Sequence, residues 1–411
     1  MVLCVECGIV IGGRDAARCW REEWREAAME GEAAGFVAGV RKCFEGLRDP
    51  RVQASCDHLL FDIVSIAVLA VACGADDWTD LEVFGKKRRE WLATFLELPH
   101  GIPSHDTFRR VFGVLNRKEF SACLLQWTQA LHEASGGKLI AIDGKSLRRS
   151  GRQKSGLRML HLVTAWSSEN GLTLAQVACD EKSNEITAIP EVLKLLSLKG
   201  CTVTIDAMGC QTEIAQQIRT QKGHYVLALK GNQSGLEADM QQLFDQAIAT
   251  DFADVKHGVV TSTETGHGRL DERTCHVMEV PTDHPRRADW PDLRSLAVIV
   301  SRREIAGEEH WESRLDISSL PPKAKPLANA IRKHWSIENS QHWVLDIAFD
   351  EDARRQPDRH GGANLATIRR LTLSLLRQDT SLKRGIKAKR FACALDPHYL
   401  LQIFQHPPID A

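Results

Sequence analysis

Apolar residues recur with two different periods along this chain, and the change comes near residue 138. From Phe44 to about Glu133 the spacing is helical, and the run HLLFDIVSIAVLAVAC is long and apolar enough to predict a buried helix. In GIPSHDTFRRVFGVL, Ser104 stands where an N-cap is expected, and apolar residues follow at every third or fourth position. The N-terminal part is therefore predicted to be all-helical.

From Lys138 onward the pattern predicts strands that alternate with helices. The runs LIAID, LRMLHLVTAWSS and GLTLAQVACD are predicted strands, with a turn at residues 169–171 between the last two. Next come the helical run AIPEVLKLLSL, the strand CTVTIDAM, the helical run TEIAQQIRTQ and the strand HYVLALKG. The order β-β-β-α-β-α-β is that of an RNase-H-like α/β fold, in which carboxylates cluster at the ends of adjacent central strands.

A second β-rich stretch follows before the chain returns to helices. A helix is predicted from Leu236 to Ala249, and HGVVTSTET, LDERTCHVMEV, LRSLAVIVSRRE and HWESRLDISSL are predicted strands. After three prolines a long helix begins near Leu327, and ANLATIRRLTLSLLRQ predicts another. We therefore expect a β-rich insertion that interrupts a mixed-sheet core.

Three acidic residues stand in settings that suit metal-dependent phosphodiester chemistry. Asp143 and Asp206 each end a β-branched apolar run. Glu338 lies on a predicted helix among mostly apolar and aromatic neighbours, so we expect it to face protein. Together the three could hold two Mg²⁺ ions, which prefer oxygen ligands, against a phosphodiester. Each acid could instead be a cap or an ion-pair partner, and His334, Glu338 and His342 could bind zinc.

Basic residues are clustered, although the net charge of −1 identifies no partner. Six lie between Lys145 and Arg158 without an acidic residue, and eight lie between Arg369 and Arg390 against a single aspartate. Clusters of this kind bind phosphate, although either one could be a solvated basic face.

The twelve cysteines are scattered, and only Cys4 and Cys7 form a Cys-x-x-Cys pair, without the second pair of a zinc ribbon. We therefore expect a reducing, cytoplasmic compartment. The longest apolar segment, residues 63–74, is shorter than the roughly 20 residues of a membrane span. The opening stretch lacks the features of a signal peptide, and Met29 is a plausible later start.

Several long motifs resemble one family. The segments IPSHDTFRRVF, DGKSLRRS, VTIDAMGCQTEIAQQI, YVLALKGNQ and HWSIENSQHWVLDIAFDEDARR are similar to those of H-repeat-associated transposases of the ISAs group. These are bacterial insertion-sequence DDE transposases with an RNase-H-like core. The resemblance runs from about residue 44 to the C-terminus. It implies that Asp143, Asp206 and Glu338 are the DDE triad, with Asp143 bridging two Mg²⁺ ions, for which Mn²⁺ can substitute.

The resemblance also implies a substrate and a set of contacts. The protein would bind terminal inverted repeats in double-stranded DNA as a dimer or larger assembly, cleave one strand by hydrolysis and join the 3′-hydroxyl to target DNA. Wider relatives carry arginine, tyrosine and lysine where this chain has His334, Ile331 and Leu345. Trp335 and Trp343 could stack on an extruded base, but core packing is the favoured expectation. The candidate DNA contacts here are Lys145, Arg148, Arg149, Arg332, Lys333 and His334. Arg109 and Arg110 are further candidates from the helical pattern alone, because the helix after Ser104 could be a recognition helix; it could equally be part of an ordinary helical bundle.

Two other functions are possible for this sequence, and the chain is expected to divide into six segments. A host-adapted or decayed copy could act as a metal-dependent nuclease or a non-catalytic DNA-binding protein, and a hydrolase of small phosphates is a further alternative. The expected segments are 1–40, a peripheral extension that could be disordered; 41–135, the helical N-terminal domain; 136–233, the first part of the RNase-H-like catalytic core; 234–321, the β-rich insertion; 322–380, the second part of the core; and 381–411, a basic tail.

Overall fold

The structure, a computed structural model, divides into two compact units. It describes residues 2–3, 10–11, 31–44, 46–52, 54, 56–151, 158–179, 184–266, 269–305, 308–355 and 358–405. The first unit combines Met1–Leu115 with Leu375–Ala411, and the second is Asn116–Ser374. The helix that ends near residue 135 thus belongs to the second unit, whereas the apolar pattern grouped it with the N-terminal helices.

The first unit is almost entirely helical. Its elements are β1 (Val2–Leu3), β2 (Val10–Ile11), α1 (residues 31–44), α2 (Leu60–Ala72), α3 (Trp78–Lys87), α4 (Arg89–Leu92), α5 (His105–Val114), and, after the second unit, α14 (Ile386–Leu395) and α15 (Pro397–Ile403). Helix α2 is buried along most of its length, and the Ser104 side chain caps α5, as predicted. The expected extension is wrong for residues 31–40, because Phe36 is buried against Phe95 and Phe404.

Part of the C-terminal basic cluster is structural. The Arg390 guanidinium lies 2.9 Å from Asp76 Oδ1 and also donates to backbone carbonyls of α2 and the following loop. Lys389 is likewise buried, with its Nζ 3.1 Å from Asp379 Oδ2. The sequence left open whether this cluster binds phosphate or forms a solvated basic face. Neither alternative holds for Lys389 and Arg390, which are buried, because sequence shows charge but not burial.

The second unit is built on one nine-stranded sheet. Its strands are β3 (Leu139–Leu147), β4 (Leu160–Ser167), β5 (Leu172–Ala178), β6 (Thr202–Ile205), β7 (His224–Leu229), β8 (His257–Gly266), β9 (Arg269–Glu279), β10 (Ser295–Ile305) and β11 (Glu308–Ser318). They lie in the order β5-β4-β3-β6-β7-β11-β10-β9-β8. The β3–β6 and β6–β7 pairs are parallel and the others antiparallel, which confirms the predicted RNase-H-like mixed sheet.

The β-rich insertion extends this sheet. Strand β11 pairs antiparallel with β7, from Leu315 opposite Leu229 to Ser318 opposite Val226. The four added strands therefore continue the hydrogen-bond ladder of the core, and their outer ends carry ion pairs such as that between Arg302 and Glu272. The insertion interrupts the core in sequence but widens the same sheet in space.

Helices cover both faces of the sheet. They are α6 (Arg117–Ser135), α7 (Glu185–Lys194), α8 (Thr212–Thr220), α9 (Ser234–Ala249), α10 (Arg286–Asp289), α11 (Ala324–His334), α12 (Trp343–Ala348) and α13 (Arg359–Gln378), whose last residues belong to the first unit. Apolar residues of α7, α8 and α9 pack on the face that carries Ile142 and Ile205. Helix α11 packs on the opposite face, against Leu139 and Val226. Within the described part of the chain, no helix has the length and hydropathy needed to cross a bilayer.

Candidate catalytic centre

Asp143 and Asp206 lie side by side at one edge of the parallel part of the sheet. The parallel pairing of β3 and β6 ends with Ile142 opposite Ile205, and the two aspartates come next. Adjacent strands are about 4.8 Å apart, and residues at the same level of parallel strands share a face. Strand β3 itself continues to Leu147, paired with β4, so the prediction that it ends at Asp143 is wrong.

Glu338 approaches this edge from the helical layer. After α11, residues Glu338–His342 form a π-helical turn that leads into α12. His342 is buried, and its Nδ1 lies 2.9 Å from Glu338 Oε2 and 3.6 Å from Asp143 Oδ2. The Glu338 side chain is 58% exposed, so the expectation that it faces protein is wrong. One ligand atom from each of Asp143, Glu338 and His342 lies within 4.8 Å of the others.

The charges in this centre disfavour one another. The pKa of Asp143 is raised to about 6, chiefly by burial; His342 lowers it, and the nearby charges of Asp206 and Glu185 add to the rise. The pKa of Asp206 is also raised, first by burial and then by Glu185. A hydrogen bond from His342 lowers the pKa of Glu338. Crowded carboxylates of this kind attract a cation.

A cavity of about 190 Å³ opens beside the three acids and contains a fourth acidic side chain. Asp316, on β11 opposite Ala228, lines it, and burial raises the pKa of this carboxyl to about 7. His334 lines it too, with Nδ1 2.9 Å from Thr204 Oγ1, and burial lowers its pKa to about 4. The His334 ring is therefore neutral near pH 7, which argues against a role as a cationic phosphate clamp.

The basic residues after Asp143 divide into a buried lysine and exposed arginines. Lys145 is 9% exposed, and its Nζ lies 2.5 Å from Asp346 Oδ1 and 3.5 Å from Asp352 Oδ2. A buried ammonium paired with two carboxylates is poorly placed to contact DNA, so the predicted role of Lys145 is not supported. Arg148 is 80% exposed, and Arg149 is exposed with a left-handed backbone at φ 61°. Arg152 and Lys154 lie outside the described residues.

The other candidate contacts lie farther along the chain. Arg332 donates to both carboxylate oxygens of Glu264 at 2.8 Å, and Lys333 is 39% exposed. Arg109 and Arg110 are exposed on α5 of the first unit, where Arg109 pairs with Asp106. Arg109, Arg110 and Arg332 are accessible to solvent. To bind a phosphate, Arg109 would have to release Asp106, and Arg332 would have to release Glu264.

The two tryptophans near Glu338 are surface residues. Trp335 is 46% exposed and Trp343 is 61% exposed, so the expectation that both pack in the core is wrong. The Arg314 guanidinium lies 5.0 Å from the ring centroid of Trp335, which also lines the cavity. Flat, exposed rings of this kind are suited to stacking on bases.

The sequence interpretation missed Glu185 and Asp316. Glu185 is the first residue of α7, which the Asn184 side chain caps, and Asn184 with Thr187 forms a capping box that could have located it. Asp316 lies between Leu315 and Ile317 in the buried end of β11, and its sequence context gave no separate signal. Glu185 lies near the centre because α7 packs on the sheet beside Gly144, and Asp316 lies there because β11 is adjacent to β7 in the sheet.

Comparisons with known proteins agree with this arrangement. A family model described as a transposase DDE domain matches residues 134–375, and a DDE_Tnp_1-associated model matches residues 41–128. The chain is 40% identical to "Putative transposase YncI" of Escherichia coli O157:H7, over 86% of this chain and 91% of the relative. It is 35% identical to "H repeat-associated putative transposase YhhI" of Escherichia coli K12, over 86% and 94%. The chain therefore belongs to the family of DDE transposases, among the H-repeat-associated members that its motifs resemble.

Proposed function

We propose that the chain binds the terminal inverted repeats of its own insertion sequence, hydrolyses one strand at each end and joins the 3′-hydroxyl to target DNA. The observation that carries the proposal is the grouping of three acidic residues. Asp143 and Asp206 directly follow the last residues paired between β3 and β6, and His342 contacts both Glu338 and Asp143. Family membership supports DNA as the substrate. Pairing two element ends would require at least two copies of the chain.

The residues present fit a pair of divalent cations. Asp143, Glu338 and His342 each offer a ligand atom within 4.8 Å of the other two, and Asp206 adds a second carboxylate at the strand edge. Carboxylate oxygens suit Mg²⁺, while Mn²⁺ also accepts imidazole nitrogen. When bound, such ions would activate the attacking oxygen and offset charge on the phosphate and the leaving oxygen. Asp143, Asp206 and Glu338 would be the carboxylates that hold these ions.

The protein's own groups would position the DNA and the acids. Arg148 and Arg149 are exposed directly beyond the catalytic strand, so their guanidinium groups can contact phosphates close to Asp143. His342 fixes Glu338 through its Nδ1 hydrogen bond. Arg332 on α11 provides another guanidinium on the same side of the sheet as the acids.

The test uses the purified chain and DNA fragments that carry the inverted repeats flanking its gene. We expect Mg²⁺- or Mn²⁺-dependent nicking at the repeat ends, lost at least 100-fold in Asp143→Asn and Glu338→Gln, with DNA binding by fluorescence anisotropy retained. Glu213→Gln, which removes an exposed first-turn carboxylate of α8, is the control and should nick normally. Equal nicking by Asp143→Asn would refute the assignment. Binding without nicking by the parent chain would favour a non-catalytic DNA-binding protein.

A further inference from the structure

We propose that strand β8, which forms one edge of the nine-stranded sheet, pairs with β8 of a second copy of the chain. The pairing would be antiparallel about a two-fold axis, and it would join the sheets of the two copies into one. This inference goes beyond the proposed function, because it assigns a surface by which the chain associates with itself in the absence of DNA. Strand β8 runs from His257 to Gly266 and is last in the strand order.

The outer backbone edge of β8 is unpaired within the part of the chain that the structure describes. On its inner side, all ten residues are paired with β9, from His257 opposite Met278 to Gly266 opposite Arg269, without a shift in register. On its outer side, among these described residues, its N–H and C=O groups have no hydrogen-bond partner. A regular row of free backbone donors and acceptors is a template for another strand.

The opposite edge of the sheet, strand β5, is covered by protein. Helix α6 packs along β5, and its side chains donate hydrogen bonds to the β5 backbone. Ser121 Oγ donates to the carbonyl of Gln176 at 3.1 Å, and Gln129 Nε2 donates to the carbonyl of Leu174 at 2.8 Å. The fold therefore closes one edge of its sheet with a helix, and in the described residues it leaves the β8 edge without such a cover.

Strand β8 also lacks the charges that keep many exposed edges from pairing. Natural edge strands are often protected by lysine, proline or other charged residues. The sequence of β8, HGVVTSTETG, contains no lysine, arginine or proline, and Glu264 is its only carboxylate. Five of its ten residues are β-branched, which favours strand pairing. By contrast, residues 308–314 of β11, which extend beyond the pairing with β7, read EEHWESR and carry four charged side chains.

The charge pattern of β8 is compatible with pairing to its own copy. Opposite residues in an antiparallel pair are of the same hydrogen-bonding type, so the two-fold axis passes through a residue that faces its own copy. With the axis at Thr261, Glu264 lies opposite Gly258, and with the axis at Ser262 it lies opposite Val260. Like charges therefore do not meet in either register.

One face of β8 presents exposed side chains for contacts across such a pair. Val259 is 54% exposed, and the threonines that share its face, at positions 261, 263 and 265, are exposed as well. The other face packs under α11 through Val260. In both registers Val259 lies opposite a threonine of the second copy, and β-branched pairs of this kind stabilise antiparallel strands.

A solvated edge strand makes a different prediction. Water can satisfy the free backbone groups of an exposed edge, and charges added to its exposed side chains would then leave the molecular mass of the protein in solution unchanged. If β8 pairs with its copy, added like charges face one another across the axis and oppose association.

The experiment measures the mass of the full chain by sedimentation velocity without DNA, with thermal melting of each variant in parallel. We expect the parent to be a dimer and Thr261→Lys/Thr263→Lys to weaken dimerisation by roughly tenfold or more, because both registers bring the added ammonium groups together. Thr261→Glu/Thr263→Glu should weaken it similarly, and an equimolar mixture of the two variants should restore a heterodimer. Ser313→Lys is the control, because it adds a lysine to an exposed position of β11 on the same face of the sheet, and it should dimerise like the parent.

Each outcome decides the inference. A monomeric parent, or a lysine variant that dimerises as tightly as the parent, would show that β8 is not the interface. If both charged variants are monomeric but their mixture forms no heterodimer, β8 is covered by something other than its own copy, such as another segment of the chain, and the inference fails. Restored heterodimers with melting temperatures near that of the parent support it. Asp143→Asn should dimerise like the parent, so failure of the proposed function would leave this inference intact.

Discussion

Lys145 and Asp346, which are 201 residues apart in sequence, form an ion pair in which Nζ lies 2.5 Å from Oδ1. Lys145 stands two residues after Asp143 on β3, and Asp346 stands four residues after His342 on α12. The pair therefore joins strand β3, which carries Asp143, to helix α12, which follows the turn that carries Glu338, and both of these acids are proposed to be catalytic. Its lysine, predicted from sequence as a DNA contact, instead holds the two parts of the centre together.

Lys145→Met should destabilise the protein and impair nicking. The substitution leaves Asp346 without its cation in a partly buried site and Asp352 with Arg148 as its basic partner, and we expect a loss of about 1–3 kcal/mol in the free energy of unfolding. Urea denaturation of the variant and the parent measures this change in the free energy of unfolding. Lys118→Met removes a lysine whose side chain is 71% exposed and paired with Glu191, and it should cost less than about 1 kcal/mol. Equal effects of the two substitutions would contradict a positioning role for Lys145.

Asp143→Asn should stabilise the metal-free protein near pH 8. The carboxyl has a pKa of about 6 in the folded protein and about 3.9 when unfolded, so the folded state binds more protons between these values. Stability therefore rises as the pH falls from about 7 to about 4, and above pH 7 the Asp143 charge costs about 1–3 kcal/mol. Thermal melting at pH 8 and pH 4.5 should show that the gain in Asp143→Asn shrinks at the lower pH. A variant less stable than the parent at pH 8 would show that the ionised Asp143 carboxylate does not destabilise the folded protein.

Arg148→Ala and Arg149→Ala should each weaken DNA binding and reduce its salt dependence. Both side chains are exposed beyond the catalytic strand, and each phosphate contact contributes about one to the slope of log affinity against log salt. Anisotropy titrations across a series of salt concentrations measure that slope. Lys145→Met should leave it unchanged, because the buried ammonium is already paired with carboxylates. A lower slope in the lysine variant would restore Lys145 as a DNA contact.

Glu351→Gln should be among the most destabilising single substitutions in the second unit. The Glu351 carboxylate is fully buried. Its Oε1 lies 2.7 Å from Nη1 of Arg370 and 3.9 Å from Nη1 of Arg369, and both arginines are on helix α13. Removing the anion leaves two buried guanidinium groups with reduced compensation, at a cost of about 3–5 kcal/mol. The free energy of unfolding in urea provides the measurement, with Glu191→Gln, at a more exposed ion pair on α7 of the same unit, as the control. A cost below about 1 kcal/mol in Glu351→Gln would contradict this account.

The order of strands and helices could be predicted because apolar periodicity is local. The adjacency of Asp143 and Asp206 followed from it, since each ends an apolar run that forms a central parallel strand. The exposure of Glu338 could not be predicted in that way, because the π-helical turn changes which residues share a face. The burial of Lys145 and Arg390 could not be predicted either, because their acidic partners lie 201 and 314 residues away along the chain. Charge patterns identify ionic residues, but only the fold decides whether they meet water or one another.

The π-helical turn at Glu338–His342 also sets the rotational phase of helix α12. An α-helix turns by about 100° per residue, so deletion of one residue here would restore regular winding and rotate the rest of the helix by that angle. Asp346 would swing away from Lys145, and Leu345 would leave the core. Working copies of this transposase should therefore accept substitutions in the segment more readily than any single-residue gain or loss.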